Sequence, residues 1–246
     1  MANGRKMAGR GPLIALEGRS ASGKTTLVRA AARRLGWQAL PEAFDRLEPA
    51  PSLEYGSSRE LLLLEGTLLA EEARRFREAR RACARGCTVL ADTGFLGPVT
   101  YTRGLVELGE APGSVLRTLK RTARSLLDRG SLGIPDLTVY LDTTARERAR
   151  RVRSDLEHHP AALVARHEAV GDFERMYFEM LFPAAMPGRF RSLRARAVPR
   201  TLVPSLRALV AEVDPTPASR ADGLVLLSLL QMTARSGQRR NFGPNR

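Results

Sequence analysis

Gly18-Arg19-Ser20-Ala21-Ser22-Gly23-Lys24-Thr25 is the stretch whose reading decides the fold. Two glycines four residues apart, followed by Lys and then Ser or Thr, make the phosphate-loop pattern. Leu13-Ile-Ala-Leu16 precedes it, a short apolar run of the kind that forms a strand buried on both faces. Thr26 to Leu35 follow, mostly good helix formers. In that setting the pattern has a physical meaning. The loop's main-chain N–H groups and the N-terminus of the next helix form a concave anion site. Lys24 adds a point charge for the β- and γ-phosphates, and the Thr25 hydroxyl can ligate Mg²⁺. The expected nucleotide-binding set is therefore Gly18, Arg19, Ser20, Ala21, Ser22, Gly23, Lys24, Thr25 and Thr26, with ATP and Mg²⁺ as the cofactors.

Composition bounds the rest. At 246 residues, 43% of them hydrophobic, the chain can build one large α/β core. It has no apolar run of about 18 residues, so no membrane span is expected. Met1 to Gly11 is polar and basic without an apolar segment, and reads as a disordered lead-in and not a secretory signal. The net charge of +14 favours anionic ligands. Only Lys6, Lys24 and Lys120 are lysines among the 40 basic residues, and the arginines are spread over helix faces without interleaved aromatics. A solvated surface explains them better than a nucleic-acid interface. Cys83 and Cys87 lie four apart, far in sequence from His158, His159 and His167, so they read as reduced thiols and not as zinc ligands or a disulfide. A cytoplasmic location is expected.

Along the chain, strands are predicted at Trp37–Leu40, Cys87–Ala91, Leu137–Leu141 and, weakly, Arg194–Val198. Helices are predicted at Arg59–Ala84, Val115–Leu127, Ala145–Leu156, Ala161–Leu181, Leu206–Val213 and Leu224–Met232. Alternating strands and helices imply a three-layer α/β/α fold with a parallel sheet, here the P-loop nucleoside triphosphate hydrolase fold. The expected division is a lead-in at 1–11, the phosphate-loop domain at 12–214 with a lid around 143–160, and a C-terminal extension at 215–246 with one short apolar helix. In such sheets ligands bind beyond the carboxyl ends of the strands. That rule singles out the residues after each strand. Asp92 could hold Mg²⁺ with Thr25, or accept a proton from an attacking hydroxyl. Glu42, after strand two, could be that general base, with Asp45 a more distant substitute. Arg146, Arg148, Arg150, Arg151 and Arg153 crowd one helix and cannot all face one way; one or two could close over a transferring phosphoryl group. Tyr101 and Arg103 could stack on and hydrogen-bond a substrate ring.

These residues resemble the thymidylate kinase and deoxynucleoside kinase family, over roughly Leu13 to Leu181. Glu17-Gly18 to Thr26 resembles its Glu-Gly-x-x-Gly-x-Gly-Lys-(Ser/Thr)-Thr segment, with Ala21 at the middle glycine. Leu69 to Arg74, leading to Val89-Leu-Ala-Asp92, resembles its long helix and strand-three carboxylate. Tyr101 falls where thymidylate kinases have the tyrosine of Ala-Tyr-Gln-Gly. Pro135 to Asp142 is similar to strand four, Arg151 to the first lid arginine, and Phe173 to Tyr177 to the helix after the lid. The departures are specific. Thr93 stands where the family has Arg, Thr102-Arg103-Gly104 where thymine is read, Asp155 at the second lid arginine, and Glu42-Ala43 where deoxynucleoside kinases have Glu-Pro.

The resemblance implies a nucleotide-kinase-like fold and an ATP-dependent kinase, with Lys24, Asp92, Glu42, Arg151 and Arg153 catalytic, and Thr25 and Asp92 on the metal. Glu42, Tyr101, Arg103 and Arg74 would bind a small-molecule acceptor: a nucleoside, a nucleotide or a compound of similar shape. A homodimer fits this expectation. The competing reading is a phosphate-loop ATPase or nucleotide-sensing protein, acting on nucleic acid through its basic surface.

Overall fold

The computed structural model describes residues 9–52, 54–155, 161–195 and 199–230. In chain order the elements are β1 (Leu13–Glu17), α1 (Lys24–Leu35), β2 (Gln38–Leu40), α2 (Ser58–Ala84), β3 (Val89–Asp92), α3 (Gly97–Glu107), α4 (Gly113–Asp128), β4 (Leu137–Asp142), α5 (Ala145–Asp155), α6 (Ala161–Met176), α7 (Phe182–Ala185), β5 (Phe190–Arg194), α8 (Val203–Ala211) and α9 (Arg220–Leu229). A π-helical turn, Tyr177–Leu181, joins α6 to α7.

The strands form one parallel sheet in the order β2-β3-β1-β4-β5. Its central strands β1, β3 and β4 are mostly apolar because both faces are covered, with acidic residues at their carboxyl ends. Ile14 and Leu16 of β1 pack with α1 and α8 on one side. Leu13 and Ala15 face the larger core on the other, which holds residues of α2, α3, α4, α6, α7 and α9. The sheet has helices on both faces and the phosphate loop follows β1, so the chain has the P-loop nucleoside triphosphate hydrolase fold. Leu226 and Leu227 of α9, and Leu230 just past its end, are buried in the same core as Leu13 and Ala15 of β1.

The differences from the sequence reading have local causes. Strand five forms at Phe190–Arg194, ahead of the predicted Arg194–Val198. It is an edge strand with only Leu193 buried, so its own pattern is faint and pairing with β4 sets its place. Residues 196–198 lie outside the described residues. No element was predicted at α3, whose Gly97, Pro98 and Gly104 read as breaks. Pro98 sits in the first turn, where its missing N–H costs nothing. At Gly104 a Cβ would meet Val170 Cγ1 at 2.8 Å, so glycine lets α3 and α6 approach closely. The apolar C-terminal helix starts four residues early, at Arg220, behind a Ser219–Asp222 capping box. Of the expected lead-in, residues 1–8 lie outside the described residues; Arg10 already pairs with Asp136 at 2.9 Å, and the Gly11 N–H donates to the Cys83 carbonyl.

Candidate active site

The loop after β1 closes on the N-terminus of α1. Gly23 caps that helix with φ 97° and offers no side chain to the first-turn amides, which have no acceptor within the helix. Gly18 (φ 146°) and Ala21 (φ 57°) also occupy the left-handed half of backbone space. For Ala21 that conformation costs on the order of 1 kcal/mol. It stands where the resembled pattern has glycine, and Arg151 offsets the strain by donating to the carbonyls of Ala21 (3.3 Å) and Ser22 (2.6 Å). Lys24 Nζ folds over the loop and donates to the carbonyls of Gly18 (2.7 Å) and Arg19 (3.2 Å).

Beside the loop, the carboxyl ends of β1, β2 and β3 are locked together. Glu17 accepts from the Gly94 N–H at 2.8 Å, and the Thr93 N–H donates to the Leu16 carbonyl at 3.1 Å. Thr93 itself has φ 66°, a strained conformation for a β-branched residue. Arg75 of α2, fully buried, pairs with Glu72 and donates to the carbonyls of Asp92 (2.7 Å) and Leu40 (3.4 Å). Its guanidinium lies 5.5 Å from the centroid of the Phe95 ring. Arg75 thus spans the ends of β2 and β3. Replacing it strands Glu72 without its cation and leaves two carbonyls short of a donor. Arg75→Leu is expected to cost about 3–5 kcal/mol in urea unfolding; a loss below about 1 kcal/mol would show that the bridge does not hold the strand ends.

Asp92 is 2% exposed and its Oδ1 has no hydrogen-bond partner among the described residues. The Ser22 Oγ of the loop is likewise buried without a partner. An orphaned carboxylate oxygen beside the phosphate loop fits a cation that completes its shell with phosphate oxygens and water.

A cavity of about 440 Å³ opens from the loop. Lys24, Ser20, Glu17 and Thr93 form its inner wall, Glu42 to Asp45 its strand-two side, and Glu65, Leu68 and Glu72 of α2 another side. Tyr55, Tyr101, His167, Glu168 and Glu174 also line it. The Tyr101 ring meets His167 edge-on at 5.6 Å. Beyond Tyr55 lies a more open depression of about 670 Å³ that shares Tyr55 but touches no residue of the phosphate loop.

The charged residues lining the cavity are mainly acidic, although the chain as a whole is basic. Lys24 is the one Lys or Arg among the described residues lining it, against seven carboxylates. Burial pushes Glu65 up to about 8. Glu17 also rises to about 8, because burial outweighs the favourable charge of Lys24. Glu72 rises to about 7 by burial, against the pull of Arg75. Glu42 and Glu174 move up for the same reason, with Lys24 opposing. Each of these carboxyls holds its proton more tightly folded than unfolded, so the native state loses stability as pH rises from about 4.5 to about 8. Without nucleotide, Tm is expected to fall by on the order of 10 °C between pH 5.5 and 8.5. A flat or rising Tm across that interval, followed by calorimetry, would contradict these shifts.

The structure brings Lys24, Thr25, Asp92, Glu42, Tyr101 and Arg151 to one region and leaves two expected residues apart. Arg74 is 68% exposed at its side chain and pairs with Glu71 at 2.9 Å; its inward neighbour Arg75 is the one facing the strand ends. Arg103 is buried against Phe173, pairs with Glu107, and does not line the cavity. Two residues apart on α3, Tyr101 and Arg103 project from different sides of the helix. Arg153 lies in α5, but its side chain is outside the described residues, as are residues 156–160 of the expected lid. α5 and α6 are tied to the loop. Arg19 pairs with Asp172 at 2.8 Å and donates to the Glu168 carbonyl at 2.9 Å, and Arg148 pairs with Glu168.

Glu65, Glu72 and Arg75 were missed by the sequence reading. Their signal was phase: they share the inward face of α2 with Leu61, Leu69, Phe76 and Ala79, so charge interrupts an apolar stripe. Cys83 and Cys87 are free thiols. No helix among the described residues is long and apolar enough to cross a membrane.

No family model and no curated protein sequence matches the chain. Solved structures do. Deoxyadenosine kinase from M. mycoides with bound dATP superposes with a TM-score of 0.59 at 14% identity, over 81% of this chain and 100% of that one. The same enzyme with the products dCMP and a flexible dCDP gives 0.58 at 13% identity, over 81% and 99%. With dCTP it gives 0.53 at 14% identity, over 81% and 99%. The fold is therefore deoxynucleoside-kinase-like.

Proposed function

We propose that this protein is an ATP- and Mg²⁺-dependent kinase that phosphorylates a hydroxyl of a small molecule shaped like a nucleoside. One observation carries the reading: the phosphate loop and Lys24 form one wall of a cavity whose other walls hold Glu42 and Tyr101. A hydrolase needs only water at that place; a cavity of about 440 Å³ has the size of a small-molecule site. The M. mycoides enzyme, a deoxyadenosine kinase by name, supports the same class of acceptor. The lack of any arginine on the described walls favours an acceptor without a phosphate of its own.

In this mechanism the loop amides and Lys24 bind the phosphates. Thr25 and Asp92 would hold Mg²⁺, whose charge would stabilise the phosphates. Glu42 takes the proton from the acceptor hydroxyl. The acceptor oxygen bonds to the γ-phosphorus, the bond from that phosphorus to its bridging oxygen breaks, and the electron pair leaves with ADP. Arg151, and Arg153 from the same helix, stabilise charge on the transferring group. Positioning and preorganised charge supply most of the acceleration.

The test is ADP formation with ATP and Mg²⁺ across hydroxylated acceptors, nucleosides first. Acceptor-dependent ADP release is expected. ADP release that is equally fast without acceptor, or that appears only on adding DNA or RNA, would overturn the kinase reading.

A further inference from the structure

Glu65 is anomalous within the cavity. It is 3% exposed, lines the cavity, and makes no hydrogen bond or ion pair with any described residue. The other buried carboxylates of α2 are paired: Glu71 with Arg46 and Arg74, Glu72 with Arg75. Buried carboxylates are ordinarily paired, because an unpaired one is costly to desolvate. Glu65 also stands apart from the phosphate loop. Glu17, Glu42 and Glu174 all feel the charge of Lys24, whereas the groups that feel Glu65 are Tyr55 and Tyr101. The Tyr55 hydroxyl is also buried without a partner. An unpaired acidic side chain that shares a cavity with Tyr55 and Tyr101, with Lys24 the one Lys or Arg on the described walls, matches the recognition chemistry of an organic cation.

We propose that the phosphoryl acceptor is an amine as well as an alcohol, bound with its protonated amino group on Glu65, in the cavity shared with Tyr55 and Tyr101, and its hydroxyl toward Glu42. The inference rests on the kinase reading for the hydroxyl end only; the cation site stands on the cavity itself. An ammonium supplies Glu65 with the charge and donors it lacks and offers its N–H groups to the Tyr55 oxygen. The same cavity disfavours an acceptor that is already phosphorylated, since each added negative charge would face carboxylates at the end remote from Lys24.

The experiment uses matched pairs that differ in the amino group: 3′-amino-3′-deoxyadenosine and adenosine, glucosamine and glucose, serinol and glycerol. Binding is measured by calorimetry on the full-length protein with a non-hydrolysable ATP analogue and Mg²⁺; turnover is measured by ADP release. The amine of a pair is expected to bind roughly ten- to hundredfold more tightly than its neutral partner. Glu65→Gln, which keeps the shape and removes the charge, is expected to erase that preference, so that the two members of a pair bind with equal affinity. Selective amine binding without turnover would uphold the cation site and count against the kinase reading. Turnover of neutral acceptors with no amine preference would uphold the kinase reading and overturn this inference. An amine preference that survives in Glu65→Gln would overturn the assignment to Glu65.

Discussion

Lys24→Ala is expected to abolish ATP-dependent turnover, lowering kcat/KM for ATP by at least about 10²–10³-fold. The reason is scarcity. Lys24 is the one Lys or Arg on the described cavity walls, and its ammonium is held over the loop by the carbonyls of Gly18 and Arg19. No described side chain stands ready to replace it; Arg151 is engaged with the carbonyls of Ala21 and Ser22 from the other side. The fold should survive, because Lys24 makes no buried ion pair and sits in the first turn of α1. Tm is therefore expected to change little and ATP affinity to fall, both measurable on one sample by calorimetry. Wild-type turnover in this variant would remove the phosphate loop from the chemistry and the kinase reading with it.

Glu42→Gln separates the two carboxylates that could serve as base. Glu42 lines the cavity and burial raises its pKa against the pull of Lys24, which suits a proton acceptor. The amide cannot take a proton, so kcat is expected to fall by about 10²–10⁴-fold with the KM for ATP nearly unchanged. The base must be ionised to act, so wild-type kcat should climb with pH through a pKa above the usual carboxylate range, and the variant should lose that limb. Asp92→Asn is expected to behave differently: Asp92 ends β3 with an unpartnered Oδ1, and if that oxygen serves the cation the variant should demand more Mg²⁺. If Asp92→Asn lost the pH limb and Glu42→Gln kept it, the two roles would have to be exchanged.

The order of elements was legible because local physics decides it. A run such as Leu13 to Leu16 can be satisfied only by burial on both faces, and the glycines of the loop need backbone space that other residues enter at a cost. Lys24, Thr25, Glu42 and Asp92 followed from one rule, that ligands gather beyond the carboxyl ends of parallel strands. Residues whose importance depends on which way a helix is rolled were harder to read. Arg74 and Arg75 are neighbours in sequence, yet one is exposed at its side chain and the other is wholly buried across β2 and β3. Tyr101 faces the cavity while Arg103, two residues on, packs against Phe173.

By itself the amino-acid sequence determined the phosphate loop, the parallel α/β architecture and the strand ends where chemistry would gather, since each follows from short-range pattern and backbone geometry. Only the tertiary structure decided the character of the cavity beside the phosphate loop. Its walls come from the end of β1, the phosphate loop, the segment after β2, α2, α3, α5 and α6, and their charged residues are mainly acidic in a chain whose net charge is +14. A sum over the sequence could not reveal that sign, because packing sends most arginines outward and turns Glu65, Glu72 and Glu174 inward.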